Sequence, residues 1–295
     1  MNWPPPPPVE LRLLGPRPAR PTPEGDDHFR RLAGWSLGVV GLIVVVSTPI
    51  HYLLPELLRV PPGAGGPGTG LGARLATELG DLLLAGLCAA HCWRSCGRYP
   101  TLLFFVGAFF FTGGLENLMV LGGRFGLIPY PTYYFDTGGV LIFGDVPVSV
   151  CVSWFVLAYG TFVVCRTVFP RLRDRTLAAC CALFCMNLDL WVDPVMTLPA
   201  NRGWTWLQQP GSTAMLFGVP LNNFLGWFGV IFFFELLWLS ARQWEGQLGP
   251  RRATRHFFAG LALCVVGYAL LVVGGELLIQ AWVPPVDLGR GWIEP

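Results

Sequence analysis

The chain contains seven long apolar segments that are almost free of charge, and these segments limit what it can fold into. They lie at roughly 34–54, 75–93, 101–121, 146–165, 176–198, 219–239 and 257–282. A helix of about 20 apolar residues crosses the hydrocarbon layer of a bilayer, where the backbone must satisfy its own hydrogen bonds. Charged residues make up only 13% of the chain, against about 25% in a soluble domain. We therefore predict an all-α polytopic integral membrane protein with about seven transmembrane helices.

These segments divide the chain into three parts. Residues 1–33 are rich in proline, with an unbroken run from Pro4 to Pro8, and we predict a mobile cytoplasmic tail. Residues 34–283 form the seven-helix transmembrane domain. Residues 284–295 are expected to form a short extracytoplasmic tail.

The distribution of arginine predicts the orientation of these helices. All 20 basic residues are arginine, and 15 of them lie in the N-terminal tail or in loops on the same predicted side. Basic loops stay in the cytoplasm, so we place the N-terminus there and predict a multi-pass protein of the inner (plasma) membrane. The net charge of +2 is scattered and predicts no nucleic-acid partner. The absence of lysine excludes any mechanism that needs a Schiff-base lysine, such as that of a retinal-binding receptor.

Acidic side chains gather in the predicted outer half of the bundle. An ionisable side chain within the membrane is costly and therefore marks a candidate functional site. Asp189 and Asp193 are four residues apart and project from one face of the fifth helix, while Glu116 lies at a similar depth in the third. Glu78 and Asp145 lie nearer to water, where we expect them to be solvated. We predict that the deeper acids line one cavity.

Two long outer loops, at 122–145 and 199–218, are expected to close over this cavity because both are crowded with aromatic residues. Tyrosine and tryptophan also favour the bilayer interface, so interfacial anchoring is the alternative interpretation of these rings. Two amides flank the same zone: Asn117 near the end of the third span and Asn223 at the start of the sixth.

Several motifs resemble the carotenoid biosynthesis integral-membrane family. They are Glu116-Asn117, the Trp154 helix after Asp145-Val146-Pro147, Asp189 through Asp193-Pro194, Trp204-Thr205-Trp206, and the segment GVPLNNFLGWF from Gly218 to Phe228. The resemblance runs from about Leu103 to Trp238. This family includes carotenoid 1,2-hydratases, which act on acyclic ends of gamma-carotene or lycopene, and bisanhydrobacterioruberin hydratases. The resemblance therefore implies a hydro-lyase that adds water to the terminal C1=C2 double bond of an acyclic carotenoid end.

The chemistry of that reaction selects the catalytic candidates. An acid must protonate C2, and water then captures the tertiary cation at C1, so neither a redox cofactor nor a metal is predicted. Neighbouring carboxyl groups in a medium of low dielectric constant retain a proton. Asp189 and Asp193 are accordingly the candidate general acids, and Glu116 is the third catalytic candidate.

The same chemistry predicts the binding residues and partners. An aromatic face stabilises a desolvated cation by about 2 kcal/mol, which makes Trp206 and Trp227 candidate contacts of the intermediate. Asn117 and Asn223 are candidate ligands of the attacking water, and Tyr133 is a further candidate contact. The expected partners are an apolar carotenoid that enters from the bilayer, water and membrane lipids.

Three other functions remain open at this point. A carotenoid cyclase would use the same protonation but quench the cation with an internal double bond. A prenyl transferase would bind magnesium diphosphate through the aspartates of Asn187–Asp193, although the arginines cluster on the opposite side. A carotenoid or lipid binder or transporter would catalyse no reaction, but the chain shows no visible internal repeat of the kind that transporters often have.

Overall fold

A computed structural model describes residues 23–58, 70–127, 132–135, 139–198, 203–207 and 213–289. Its long helices are α1 (Pro23–Leu53), α2 (Leu71–Cys96), α3 (Arg98–Arg124), α4 (Val148–Val168), α5 (Asp174–Met196), α6 (Leu221–Leu248) and α7 (Pro250–Trp282). Within these described ranges, seven helices are long and apolar enough to cross a membrane. The predicted all-α polytopic membrane fold is confirmed.

The two predicted tails are described only in part. Helix α1 begins at Pro23, so residues 23–33, which we assigned to the proline-rich tail, extend the first helix. The proline run lies outside the described residues, and its mobility stays a prediction, as does the orientation in the membrane. At the other end, Asp287–Leu288 forms a short strand, while residues 290–295 lie outside the described part.

Short strands fold the loops at the end of the bundle where α1 ends and α2 begins, which we call the loop side. They are β1 (Tyr133–Tyr134), β2 (Ile142–Phe143), β3 (Val146–Pro147), β4 (Thr205–Trp206), β5 (Met215–Leu216), β6 (Val219–Pro220) and β7 (Asp287–Leu288). Strand β1 pairs with β4, and β2 pairs with β3, both antiparallel. Strand β5 pairs with β6 antiparallel and with β7 parallel. The β1–β4 pair joins the two aromatic loops to each other.

Helices α3, α4 and α6 form the centre of the bundle. Helix α6 contacts α3, α4, α5 and α7. In its most apolar 18-residue stretch 67% of the residues are buried, against 6% in the corresponding stretch of α1. The ring of Phe104 on α3 packs edge-on against Phe155 of α4 and against Phe234 and Trp238 of α6. Offset and edge-to-face ring pairs of this kind stabilise a core beyond simple burial. The apolar outer faces of α1, α2 and α7 are left to contact lipid.

A π-helical turn interrupts α3 at Ala108–Gly113. Such a turn closes i→i+5 hydrogen bonds, and π turns often occur next to functional sites. The extra residue rotates the side chains that follow it relative to those of a regular α-helix. Glu116 is the third residue after this turn, so the turn influences the direction of its side chain.

Gly107 permits the close approach of α3 to α6. A Cβ atom at this position would overlap the ring of Phe234, which is 1% exposed and has no room to move. We expect Gly107→Ala to lower the free energy of unfolding by about 1–3 kcal/mol, the usual cost of overpacking a core. The control is Gly114→Ala on the same helix, where an added Cβ meets nothing within 4 Å. Thermal unfolding in detergent measures both, and equal stability of the two variants would contradict the packing argument.

Candidate active site

A cavity of about 370 Å³ lies at the loop side of the bundle, and we call it the large cavity. Residues of α2, α3, α4, α5, α6, β1 and β4 line it. Six of the eight predicted site residues are among them: Glu116, Tyr133, Asp193, Trp206, Asn223 and Trp227. Side chains that are up to 111 residues apart in the chain, Glu116 and Trp227, therefore meet in one chamber.

The two aspartates of α5 form a pair that one amide bridges. Asn223 Nδ2 donates a hydrogen bond to Asp189 Oδ2 at 2.9 Å and a second one to Asp193 Oδ2. Both aspartates are buried, with exposures of 0% and 2%. Within the described part of the chain, neither carboxyl group pairs with an arginine or a histidine. The two acids thus share one neutral hydrogen-bond donor and have no cationic partner among the described residues.

Local sequence explains this arrangement. The i, i+4 spacing puts both aspartates on the face of α5 that packs on α6. Helix α6 begins directly after β6, so Asn223 occupies its first turn and projects toward that face. Asp193 lines the large cavity, whereas Asp189 lies one turn deeper and touches the cavity only through Asn223. The unpaired Asp189 Oδ1 is buried without a hydrogen-bond partner.

Glu116 receives two hydrogen bonds on the opposite wall. Trp154 Nε1 donates to Glu116 Oε1 at 2.8 Å, and the hydroxyl of Tyr133 donates to Glu116 Oε2. Burial raises the pKa of Tyr133 well above its usual value, and the nearby Glu116 carboxyl raises it further. Tyr133 therefore stays a neutral phenol and a hydrogen-bond donor. Each oxygen of Glu116 therefore accepts one hydrogen bond from a neutral donor.

Aromatic rings form much of the remaining wall. Trp154 and Trp227 lie with ring centroids 4.5 Å apart, and Tyr133 and Trp206 lie 4.9 Å apart across the β1–β4 pair. Trp154 is a site residue that the sequence reasoning missed. It appeared there only as part of a motif, and nothing in its spacing distinguished it from an interfacial tryptophan.

A comparison with known families establishes the family to which the chain belongs. A family model described as carotenoid biosynthesis protein matches residues 79–289, which is most of the chain. The chain belongs to the carotenoid biosynthesis protein family. It is therefore a multi-pass membrane protein with a carotenoid-modifying role. No curated protein and no solved structure matches the chain.

Most of the cavity wall of this family member lies within the matched residues. Helix α2 contributes Asp81 inside the matched stretch, whereas Arg74 and Glu78 precede it. Glu78 is 6% exposed, and its Oε1 accepts a hydrogen bond from the backbone N–H of Leu141 at 3.0 Å. The expectation that water solvates Glu78 is therefore wrong, because the chain folds back over it.

Asn117 does not reach the large cavity. Its Nδ2 donates to the carbonyl oxygens of Gly113 at 2.8 Å and Phe143 at 2.9 Å. Its Oδ1 accepts the backbone N–H of Asp145 at 2.7 Å. These bonds hold the turn between β2 and β3 against α3, where Gly144 has a φ of 71° that favours glycine. The amide that we predicted as a water ligand supports the loop instead.

Asp145 lies in a buried ion cluster behind that turn. Its carboxylate pairs with Arg124 of α3 and, at 2.9 Å, with Nδ1 of His51 of α1. Its exposure is 1%, so the expectation that water solvates Asp145 is wrong as well. The ring of Tyr134 lies 6.0 Å from the Arg124 guanidinium, within the range of a cation–π contact. Three segments that are distant in the chain thus meet at His51, Arg124 and Asp145. We call this ion cluster and the turn between β2 and β3 the roof of the site.

The site offers few side chains that could bind a metal ion or a magnesium diphosphate. Among the described residues, no three His, Cys, Asp or Glu side chains are placed so that they could hold a metal ion. In the stretch that the prenyl-transferase alternative invoked, Asn187 is exposed and only the two aspartates face inward. The bridged pair is instead suited to sharing a proton.

Proposed function

We propose that this protein is a carotenoid hydratase that adds water to the terminal C1=C2 double bond of an acyclic carotenoid end without a cofactor. The observation that carries the proposal is the pair of buried aspartates bridged by Asn223, with Asp193 and Asn223 in the wall of an aromatic cavity. Two adjacent carboxylates without a cation repel each other, and burial penalises a second charge. The pair therefore holds one proton, which Asp193 presents to the cavity.

In the first step, the π electrons of the alkene take this proton. The π bond between C1 and C2 breaks as a C2–H bond forms, the C1–C2 single bond remains, and the O–H electron pair stays on the aspartate. The positive charge remains at C1, which is tertiary. A water oxygen then forms the C1–O bond and loses one proton to a base. The sum is the addition of one water molecule, with no oxidation or reduction.

The aromatic wall supports the cationic intermediate. Trp227 and Trp206 line the same cavity as Asp193, and Trp154 stands beside Trp227. A ring face within about 6 Å of a desolvated cation is worth about 2 kcal/mol. The same rings exclude bulk water from the cation until the bond to oxygen forms.

The size of the large cavity supports an end-group substrate. A volume of about 370 Å³ lies at the lower end of the range of about 300–1,000 Å³ for sites that hold drug-sized ligands. It suits the branched end of a carotenoid, while the polyene remains in the bilayer. Ala73 and Thr77 of α2, which line the cavity and are exposed, form the side from which such a molecule enters.

Expression of the full chain in a lycopene-producing bacterium tests this function. Mass analysis of the pigments is expected to find lycopene plus one water, with the label of H₂¹⁸O in the product. Conversion to a product of unchanged mass would instead identify a cyclase. Unchanged lycopene, both in cells and with the purified protein in lipid, would support a binder or transporter and overturn the proposal.

A further inference from the structure

A second, smaller cavity of about 40 Å³ lies on the other side of the Glu116 wall, and we call it the small cavity. It shares Glu116, Tyr133, Trp154, Trp206, Asn223 and Trp227 with the large cavity. Its remaining walls come from α3, α6 and α7, including Asn222, Tyr268 and Val272. Asp193 lines the large cavity but not the small one. The two chambers are therefore separated by one layer of side chains that includes a carboxyl group.

The small cavity is too polar and too large to be an empty packing defect. A water molecule needs at least about 10–15 Å³ of such volume and two to four polar partners. Asn222 is 6% exposed and lines this chamber together with Glu116 and Asn223. Trp206 Nε1, which borders the same chamber, is buried without a hydrogen-bond partner. An unpaired buried donor is costly, and ordered water is the usual way in which it is satisfied.

We propose that the small cavity is a water-binding site that supplies the attacking water and that Glu116 accepts the proton which this water loses. This inference rests on the proposed hydration. Asp193 gives its proton to C2, the water oxygen bonds to C1, and its proton passes to Glu116. The proton then returns from Glu116 to the aspartate pair, so each turnover adds one water and consumes no proton.

The arrangement assigns acid and base to different walls. The aspartate pair shares one donor, whereas each oxygen of Glu116 accepts a hydrogen bond of its own. Of the three candidate catalytic carboxyl groups, only Glu116 borders both chambers. Asn222 lies directly beside Asn223 in the first turn of α6, so a single turn contacts both the acid pair and the water.

Hydroxyl-radical footprinting of the purified protein tests the water site without any substrate. Radicals produced from a bound water label the side chains next to it. We expect Tyr268, which is 8% exposed and lines the small cavity, to be labelled several times faster than Tyr159, which is 2% exposed and lines neither cavity. Equal protection of the two tyrosines in the unmodified protein would overturn the water site.

Two substitutions link this water to the reaction. Asn222→Leu keeps the size of the side chain but removes its polar group, and Val272→Leu fills part of the chamber. Both are expected to lower Tyr268 labelling and to reduce hydration about tenfold, because an ordered water is lost that the new groups do not replace. The matched controls are Asn187→Leu on α5 and Val273→Leu, both at exposed positions outside the cavities. Wild-type hydration and labelling in Asn222→Leu would contradict the proposal.

Deuterium uptake by the carotenoid distinguishes a failure of the water site from a failure of the proposed function. In D₂O, protonation and its reversal leave deuterium in unreacted carotenoid even when no water adds. Asn222→Leu is expected to incorporate deuterium while hydration falls, which places the defect in water delivery. If the wild-type protein shows neither deuterium uptake nor hydration, the proposed function fails, while the labelling of Tyr268 still decides the water site.

Discussion

The Asp193→Asn variant is expected to lose hydrated carotenoid by about 100-fold or more, the lower end of what a positioned general acid contributes. Asparagine has nearly the same shape but no acidic proton. It therefore leaves the cavity and the contact to Asn223 in place while it removes the group that protonates C2. Pigment mass analysis in a lycopene-producing bacterium measures the product, and immunoblotting of membranes shows that the variant accumulates.

Two further aspartate variants sharpen this test. Asp189→Asn is expected to reduce the product as well, because the remaining aspartate then lacks the neighbour that favours its protonated form. The control is Asp174→Asn on the same helix, at the far end of α5, where the carboxylate pairs with Arg166 near the surface. Its product level is expected to match the wild type. Full activity in both cavity variants would rule out the pair as the acid.

Arg124→Leu is expected to give the largest loss of stability. The substitution leaves Asp145 buried, with His51 as its remaining ion-pair partner among the described residues. Removal of one partner from a buried ion pair typically costs about 3–5 kcal/mol, because the other charge stays without compensation. The melting temperature of the protein in detergent should fall accordingly, and the product should fall with it as the roof of the site loosens.

The controls for this variant are a double substitution and an exposed pair. Arg124→Leu combined with Asp145→Leu removes both charges, so part of the lost stability should return. Arg31→Leu breaks the pair of Arg31 and Asp27, whose side chains are 65% and 60% exposed, and should change little. A melting temperature of Arg124→Leu equal to that of Arg31→Leu would contradict the structural role of the cluster.

The helices and the acid pair were predictable because each depends on local regularity. The seven spans follow from the length that a bilayer requires, and the pairing of Asp189 with Asp193 follows from the pitch of one helix. The inclusion of Asn223 and Glu116 in the same chamber followed from their similar depth. None of these conclusions required knowledge of how the loops fold.

The roof of the site was not predictable, because it depends on contacts between distant segments. His51 and Asp145 are separated by 94 residues, and Asn117 bonds to Asp145 across 28. A carboxylate near the end of a span has the same local sequence whether water or a folded loop covers it. For that reason both Glu78 and Asp145 were expected to be solvated. For the same reason Asn117 was predicted to bind water, whereas it supports the turn between β2 and β3.

The direction of Glu116 was also hidden from periodicity. The π turn at Ala108–Gly113 breaks the regular 3.6-residue repeat shortly before Glu116, so periodicity along α3 does not determine its face. The bond from Trp154 to Glu116 joins α4 to α3 and leaves no trace in the spacing of either helix. Both features depend on tertiary contacts and on a local break in helix geometry.

The volume of the large cavity has a kinetic consequence for a substrate with two equivalent ends. A chamber of about 370 Å³ cannot hold both termini of one carotenoid at once. After the first terminus has reacted, the molecule must withdraw, reverse in the bilayer and return. Turnover is then distributive, and the singly modified pigment is a free intermediate that competes with fresh substrate for the same opening.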